Sequence, residues 1–205
     1  MAMGRIRLIL PKRRIGDFMN DMAELFSSGR IISATRSDEE FLRAVKAEPK
    51  IIFDLDPDLM NISAKVKKAH ESDKLLFVHV DLAKGLGKDE SGIRFLKRVG
   101  VDGVISTKVN MIKMAREQGL HTVQRFFIVD SHSVSTTVET VKSSKPEMIE
   151  IMPGTLGKVI ERVGKSVDVP IIAGGLIEFE EEVACAFEMG AAAVSTGRQS
   201  LWSIK

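Results

Sequence analysis

Eight short apolar runs occur at even intervals, and this spacing restricts the possible folds more than any other feature. Each run is rich in β-branched residues, and successive runs end roughly every 20 to 27 residues along the 205-residue chain. That interval leaves room for a helix after each strand and is too long for hairpins, so it predicts parallel strands in strand–helix units. The runs span residues 30–35, 51–55, 75–80, 102–107, 122–129, 148–152, 169–174 and 191–196.

Eight strand–helix units in one chain predict a closed (β/α)8 barrel of the TIM type. An open doubly wound sheet is the alternative, but no G-x-G-x-x-G motif follows the first run. Ser37 followed by Glu40 is typical of a capping box at the start of the first helix. Cys185 lies beside the apolar stripe of a later helix, so we expect it to be buried. Only nine residues follow the last run, which predicts a truncated last helix.

Residues 1–29 precede the eight units and are predicted to form a basic segment and an amphipathic helix. Apolar residues recur there at helical spacing as far as Phe26, and Gly29 closes the pattern. Residues 30–205 are predicted to form the barrel as a single domain. We expect the extra helix to cover the bottom of the barrel or the gap beside its truncated last helix.

Composition and charge are those of an ordinary globular protein. The chain has 30 basic and 28 acidic residues, and this net charge of +2 neither requires nor excludes nucleic acid. No apolar run approaches the roughly 18 residues of a membrane span, and the start of the chain lacks the features of a secretory signal. A single cysteine rules out an internal disulfide. We therefore expect a cytoplasmic protein that has no contact with a membrane.

Small residues end the last two predicted strands. Gly174 ends the seventh run and Gly175 follows it, while Ser195 and Thr196 end the eighth run and Gly197 follows it. In a (β/α)8 barrel these two loops lie side by side, and they commonly bind phosphate through backbone N–H groups that small residues leave accessible. Tight turns would also use glycine, but the repetition of the pattern one unit later favours a phosphate site.

Polar residues end several other strands and are predicted to line the same opening. Glu150 lies inside a buried run, where a carboxylate is costly unless it is paired with Arg125 or Lys108 or binds a ligand. His79 and Asp81 are two residues apart and share one face of their strand. These carboxylates could instead hold a divalent metal, but no ligand motif supports one and we predict none. The predicted set is Asp54, His79, Asp81, Lys108, Arg125 and Glu150.

Six motifs in fixed order extend this reasoning. Between about Gly29 and Trp202 the chain contains DLAKGLGKDE, GVISTK, QRFFIVD, IEIMPG, IIAGGLI and VSTGRQSLW. In this combination the sequence resembles the glycerol uptake operon antiterminator family. The resemblance implies a small (β/α)8 barrel that is a regulator rather than an enzyme, with glycerol 3-phosphate as its effector and no cofactor. It also implies binding to the leader mRNA of glycerol-utilisation genes, so that transcription passes a terminator.

The resemblance also implies roles for individual residues. It places the phosphate at Gly174–Gly175 and Ser195–Thr196, beside Gly197, and makes Lys108 a second charge on it. The neighbours that it implies for the rest of the ligand are His79, Asp81, Arg125, Glu150 and Gly154 of the IEIMPG motif. Effector binding is expected to favour the RNA-competent conformation or homo-oligomer.

RNA contact is expected through charge, because the sequence contains no Tyr and no RNP-type aromatic motif. Basic clusters of this kind are also typical of solvated helix faces. The clusters singled out for RNA are Lys12, Arg13 and Arg14, and Arg94, Lys97 and Arg98.

Two other functions stay open at this point. Phosphate-binding barrels are often enzymes, and an aldolase or isomerase would use Lys108 or Glu150. A glycerophosphodiesterase would be expected to carry a His-Arg-type motif in the first strand, and RIISATRS has no His. A metabolite-binding protein that does not bind RNA fits the same residues.

Overall fold

Eight parallel strands form a closed barrel in this computed structural model, which describes Phe26 and residues 29–204. Neighbouring strands pair in chain order, and β8 closes on β1. The predicted TIM-type fold is therefore confirmed, and each strand falls within or beside a predicted run. The strands are β1 (Ile31–Thr35), β2 (Ile51–Asp54), β3 (Leu75–His79), β4 (Gly103–Ser106), β5 (His121–Phe127), β6 (Met148–Met152), β7 (Ile171–Gly174) and β8 (Ala193–Thr196).

Seven helices connect these strands on the outside of the barrel. Ser37 caps the first of them as predicted, since its hydroxyl accepts a hydrogen bond from the Glu40 N–H at 3.2 Å. A five-residue 3₁₀ helix, Gln199–Ser203, follows β8, so the predicted truncation is also confirmed. The helices are α1 (Asp38–Lys46), α2 (Ile62–Glu71), α3 (Glu90–Val99), α4 (Val109–Glu117), α5 (Ser131–Ser144), α6 (Gly157–Gly164) and α7 (Glu180–Glu188).

Side chains alternate along each strand between two apolar layers. One layer packs the outside of the strands against the helices, and the other fills the lower part of the barrel. Burial of each large side chain stabilises the fold by about 1.5–3 kcal/mol. Toward the carboxyl ends of the strands the inward positions become polar. The inward apolar residues include Ile32, Phe53, Phe77, Ile105, Val123 and Ile172.

Phe26 is the one described residue of the predicted N-terminal helix. It is buried in the inward apolar cluster together with Ile51. The rest of that predicted helix lies outside the described residues, as do Lys12, Arg13 and Arg14. The packing of the helix under the barrel therefore stays a prediction, and the contact of Phe26 fits it.

Cys185 was expected to be buried, and this expectation is wrong. Val183 and Ala186 are the buried residues of α7, and Cys185 is exposed. Successive helical residues are about 100° apart, so Cys185 lies about 200° around the helix from Val183. Over residues 29–204, no helix has the length and hydrophobicity needed to cross a membrane.

Candidate functional site

A cavity of about 690 Å³ opens at the carboxyl ends of the strands. Its lining includes the inward side chains of Arg125 and Glu150 and the loops that follow β7 and β8. The end of β1, the loop after it and the helix α1 also contribute to the lining, together with Leu55 and Met152. This is the opening at which the sequence places a ligand.

The loop after β7 depends on its two glycines. A Cβ atom at Gly174 would collide with the Glu150 carboxylate and lie 2.7 Å from Ser195 Oγ. Gly175 has φ +75°, and a Cβ there would lie 2.5 Å from Met152 Cε. Gly174 therefore makes room for the charged side chain below it, and Gly175 lets bare backbone border the cavity, as a phosphate site requires.

Ser195 and Thr196 follow one another on β8 but point in different directions. The Ser195 hydroxyl donates to Glu150 Oε1 at 2.5 Å inside the barrel. The Thr196 hydroxyl donates to the Ile177 carbonyl at 2.9 Å and accepts from the Arg198 N–H at 3.0 Å. Thr196 therefore ties the loops after β7 and β8 together. Gly197, the next residue, is exposed and lines the cavity.

Arg125 and Glu150 form a buried ion pair beneath these loops. Arg125 Nε donates to Glu150 Oε2 at 2.6 Å, and the two side chains are 6% and 1% exposed. Glu150 also accepts the Ser195 hydroxyl, so both of its oxygens are used. The terminal nitrogens of Arg125 have no hydrogen-bond partner among the described residues, although a guanidinium has five N–H donors. The pair predicted from the sequence is therefore present and keeps donors for a ligand.

His79 contributes a buried ring on the same inward side of the barrel. It is 4% exposed, and its Nδ1 has no hydrogen-bond partner in the described part of the chain. Burial, together with the positive charge of Arg125, lowers the pKa of His79 to about 4. The ring is therefore neutral near pH 7, when it offers one donor and one acceptor. A buried polar atom without a partner costs about 1–3 kcal/mol, which a ligand hydroxyl would recover.

Asp81 lies on the same face as His79, as predicted, and is fixed by the end of β4. It accepts hydrogen bonds from Ser106 Oγ at 2.6 Å and from the Thr107 N–H and hydroxyl at 2.7 and 2.8 Å. Although burial opposes its charge, these bonds lower the pKa of Asp81. Its carboxylate therefore stays ionised and holds the loop after β4 in place.

Asp54 was expected at the opening, and its position corrects that expectation. The inward residues of this segment are Phe53 and Leu55, so Asp54 faces outward. There it accepts a hydrogen bond from Lys65 Nζ at 2.9 Å, and the same ammonium lies 3.0 Å from Asp38 Oδ1. Although burial works against its charge, the two carboxylates raise the pKa of Lys65. Asp54 is thus buried against α2 on the outside of the barrel, away from the cavity.

Lys108 and Gly154 also lie away from the predicted contact. Lys108 is exposed after β4 and lines a second groove with Lys88, so it is neither a partner of Glu150 nor part of the main cavity lining. The Gly154 N–H donates to the carbonyls of Gly174 and Gly175 at 2.6 and 3.0 Å. Gly154 therefore supports the loop after β7 from behind.

Three arginines that the sequence reasoning missed line the cavity. Arg36 follows β1 directly, Arg43 lies on α1, and Arg198 follows Gly197. Arg198 pairs with Glu178 at 3.2 Å, and Arg43 Nη1 lies 3.4 Å from Gln199 Oε1. Neither Arg36 nor Arg43 has a carboxylate partner among the described residues. A basic residue directly after a strand end, as in SATR and STGR, is the signal that could have found two of them.

The basic cluster on α3 is partly occupied by other contacts. Arg94 lies 3.8 Å from Glu90, and Lys97 Nζ donates to the Gly119 carbonyl at 2.7 Å. Arg98 is exposed on the same helix. Within residues 29–204 no group of three or more His, Cys, Asp or Glu side chains is arranged to hold a metal ion.

Comparison with known proteins places this arrangement in a family. Residues 31–202 match the family model described as glycerol-3-phosphate responsive antiterminator. The uncharacterized protein YgcP of Escherichia coli strain K12 is 37% identical over 184 residues, covering 89% of this chain and 96% of YgcP.

Two crystal structures are similar over most of their length. The glycerol uptake operon antiterminator regulatory protein of Listeria monocytogenes str. 4b F2365 has a TM-score of 0.83 and 31% identity, over 88% of this chain and 98% of that one. A glycerol uptake operon antiterminator-related protein of Thermotoga maritima MSB8 has a TM-score of 0.75 and 31% identity, over 85% and 98%. The chain therefore belongs to the glycerol-3-phosphate responsive antiterminator family.

Proposed function

We propose that this protein is a cytoplasmic antiterminator that takes glycerol 3-phosphate as its effector and binds the leader mRNA of glycerol-utilisation genes. One observation carries the effector assignment. The bare backbone of Gly175 and Gly197 borders the same cavity as the spare donors of Arg125, while the partnerless Nδ1 of His79 lies in the inward polar layer beside Arg125. The site therefore has bare backbone for an anion at the loops and hydrogen-bonding side chains deeper in the barrel. A ligand with an anion at one end and hydroxyls at the other fits both parts.

The phosphate is assigned to the loops after β7 and β8. Gly175 and Gly197 present backbone without side chains, and Arg36 and Arg198 supply positive charge from either side. Charge-assisted hydrogen bonds from arginine to phosphate are among the stronger polar contacts in proteins. The net charge of a phosphate dianion is thereby offset where the cavity is most open to solvent.

The glycerol hydroxyls are assigned to the buried end of the site. The terminal nitrogens of Arg125 donate, and the neutral imidazole of His79 can accept or donate. Thr196 and Gly154 act on the loops rather than on the ligand, and Asp54 has no part in the site. Glycerol without phosphate would lose the loop contacts, and inorganic phosphate would lose the hydroxyl contacts.

A regulator is favoured over an enzyme by the side chains around the ligand. A Schiff-base aldolase depends on a lysine in its cavity, and the lining contributed by residues 29–204 has none. Both oxygens of Glu150 are already hydrogen-bonded, to Arg125 and Ser195, which is unsuited to a general base. Two structural relatives also carry the antiterminator description.

Calorimetric titration with glycerol 3-phosphate tests the effector assignment, with glycerol and inorganic phosphate as controls. Saturable binding is expected for glycerol 3-phosphate, with much weaker binding of either control. Equal affinity for phosphate alone would remove the hydroxyl contacts from the proposal. No binding of glycerol 3-phosphate would contradict the effector assignment altogether.

A further inference from the structure

Exposed apolar side chains are concentrated at one end of the barrel. Of the seven large hydrophobic residues that are exposed among those described, only Leu42 lies elsewhere, on α1. A concentration of exposed apolar side chains at one end of a molecule favours an interaction site over ordinary solvent exposure. The other six follow or end strands at the carboxyl face: Met60, Leu82, Phe127, Val129, Leu176 and Phe179.

These side chains adjoin the effector cavity. Leu176 lines it directly, and Phe127 pairs in register with Met152, whose Cε lies against Gly175. The two phenylalanines, Phe127 and Phe179, are 57% and 60% exposed, so their rings are accessible to a partner. An aromatic and apolar side of the opening is thus contributed by the ends of β5 and β7.

The side of the opening at β8 and β1 is cationic. Arg36 and Arg198 border the cavity from the loops after β1 and β8, and Arg43 borders it from α1. Arg36 and Arg43 have no carboxylate partner among the described residues, whereas Arg198 pairs with Glu178. The cavity lining as a whole holds four arginines against three glutamates. We call the six apolar residues and these three arginines the rim. It combines accessible rings with the unpaired guanidinium groups of Arg36 and Arg43 around one opening.

We infer that the rim is the surface that binds single-stranded RNA, with bases stacked on Phe127 and Phe179 and the RNA backbone held by Arg43, which the effector assignment leaves free. Bases stack on any aromatic face, and arginines hold the backbone between them, which is how sequence-tolerant single-strand sites are built. This inference rests on the proposed function and gives it a location. A second copy of the chain fits less well, because a two-fold contact through the rim would bring the same unpaired arginines together.

The cluster on α3 lacks the same combination. Lys97 is engaged with the Gly119 carbonyl, Arg94 lies near Glu90, and no large apolar side chain is exposed on that helix. The rim therefore replaces this cluster, which the sequence singled out, as the assigned RNA surface.

A rim site would couple effector and RNA directly. Leu176 and Arg198 belong to the two loops that are assigned to the phosphate, so a bound effector would order part of the RNA surface. RNA lying across the opening would in turn cover the effector. Linkage requires these effects to be reciprocal, so each ligand should raise the affinity for the other.

Fluorescence anisotropy with a short fluorescein-labelled single-stranded RNA tests the assignment, with and without glycerol 3-phosphate. The double variant Phe127→Ala/Phe179→Ala should weaken RNA binding by more than about tenfold, since each lost stack costs about that much. Arg43→Gln should reduce the slope of log affinity against log salt by about 0.7. The control variant Arg94→Gln/Arg98→Gln should bind RNA as the unaltered protein does.

Each other outcome counts against a specific statement. Rim variants that bind RNA normally, or a control variant that loses binding, would overturn the rim assignment. No RNA binding by the unaltered protein, with calorimetric effector binding intact, would instead contradict the antiterminator proposal. Light scattering that shows smaller particles for the rim variant would make the rim an interface between copies. Unchanged effector affinity in the rim variant shows that it is folded.

Discussion

Two buried ion-pair clusters lie on opposite faces of the barrel wall. Inside, Arg125 Nε and Glu150 Oε2 are 2.6 Å apart, and outside, Lys65 Nζ and Asp54 Oδ2 are 2.9 Å apart. All four side chains are at most 7% exposed. By burial and distance the clusters are nearly equivalent, yet we assign a ligand to only one of them.

The difference lies in the donors that each cluster leaves unused. Lys65 has carboxylates on two sides, Asp54 and Asp38, and does not line the cavity at the carboxyl ends of the strands. Arg125 uses only its Nε on Glu150, and its other nitrogens face a cavity. A buried charge therefore indicates a ligand only where donors remain and open space adjoins them. A fully used buried charge indicates a structural contact.

Lys65→Met should break the outer cluster with the largest effect on stability. It leaves the carboxylate of Asp54 buried without a partner, which typically costs about 3–5 kcal/mol. Urea unfolding should show this loss, while calorimetry should show nearly unchanged affinity for glycerol 3-phosphate. Lys67→Met, on the exposed face of the same helix, is the control and should change stability little. A large drop in effector affinity with Lys65→Met would remove the distinction between the clusters.

Gly175→Asp should have the opposite effect to Lys65→Met, because it should lower effector affinity more than it lowers stability. It places a negative charge at the phosphate loop, at φ +75° and against Met152. We expect effector affinity to fall by at least about 100-fold, or about 3 kcal/mol, in calorimetric titration.

Gly190→Asp is the matched control for Gly175→Asp. It carries the same strain at φ +96°, but a Cβ there meets no atom within 4 Å and lies outside the cavity lining. It should lose some stability and keep effector affinity. Equal affinity losses in both variants would mean that strain, rather than the phosphate loop, governs binding.

Most of the fold could be predicted from the sequence because a parallel barrel repeats one signal eight times. The β-branched runs and their spacing located all eight strands. The exposure of Cys185 was missed because the residue lies in sequence between Val183 and Ala186, which form the buried apolar stripe of α7. These are local features, and a helical wheel drawn from Val183 and Ala186 would have corrected the error.

The site could be predicted only in part, because strands of a barrel are buried on both faces. Asp54 and Glu150 both interrupt apolar runs. Alternate residues of a strand point inward and outward, but a continuous apolar run does not indicate which alternate set points inward. Arg43 was missed because its relation to the cavity depends on how α1 folds over it, whereas the strand-end positions of Arg36 and Arg198 were visible in the sequence. Gly175 and Gly197 do line the cavity, and they could be singled out because backbone access to an anion, which we predicted there, requires a residue type that is visible in the sequence.

His79→Gln should change how the free energy of unfolding depends on pH. The folded pKa of His79 is about 4, below its ordinary 6.5, so the unfolded chain binds this proton more readily between those values. Stability contributed by the neutral ring is complete above pH 6.5 and is lost as the pH falls toward 4. Urea unfolding should show a loss on the order of 2 kcal/mol between pH 6.5 and 4.5 that the variant lacks. The same pH dependence in both proteins would contradict a buried neutral His79.

Thr196→Val should have the smallest effect and tests which contacts belong to the ligand. The substitution removes the hydrogen bonds to the Ile177 carbonyl and the Arg198 N–H while keeping the volume of the side chain. We expect a loss of about 1 kcal/mol in urea unfolding, the usual value of such a bond, and only a modest change in effector affinity. Thr196→Ser keeps the hydroxyl and should restore stability. A loss of effector affinity as large as that of Gly175→Asp would instead indicate that Thr196 contacts the phosphate, as the sequence analysis predicted.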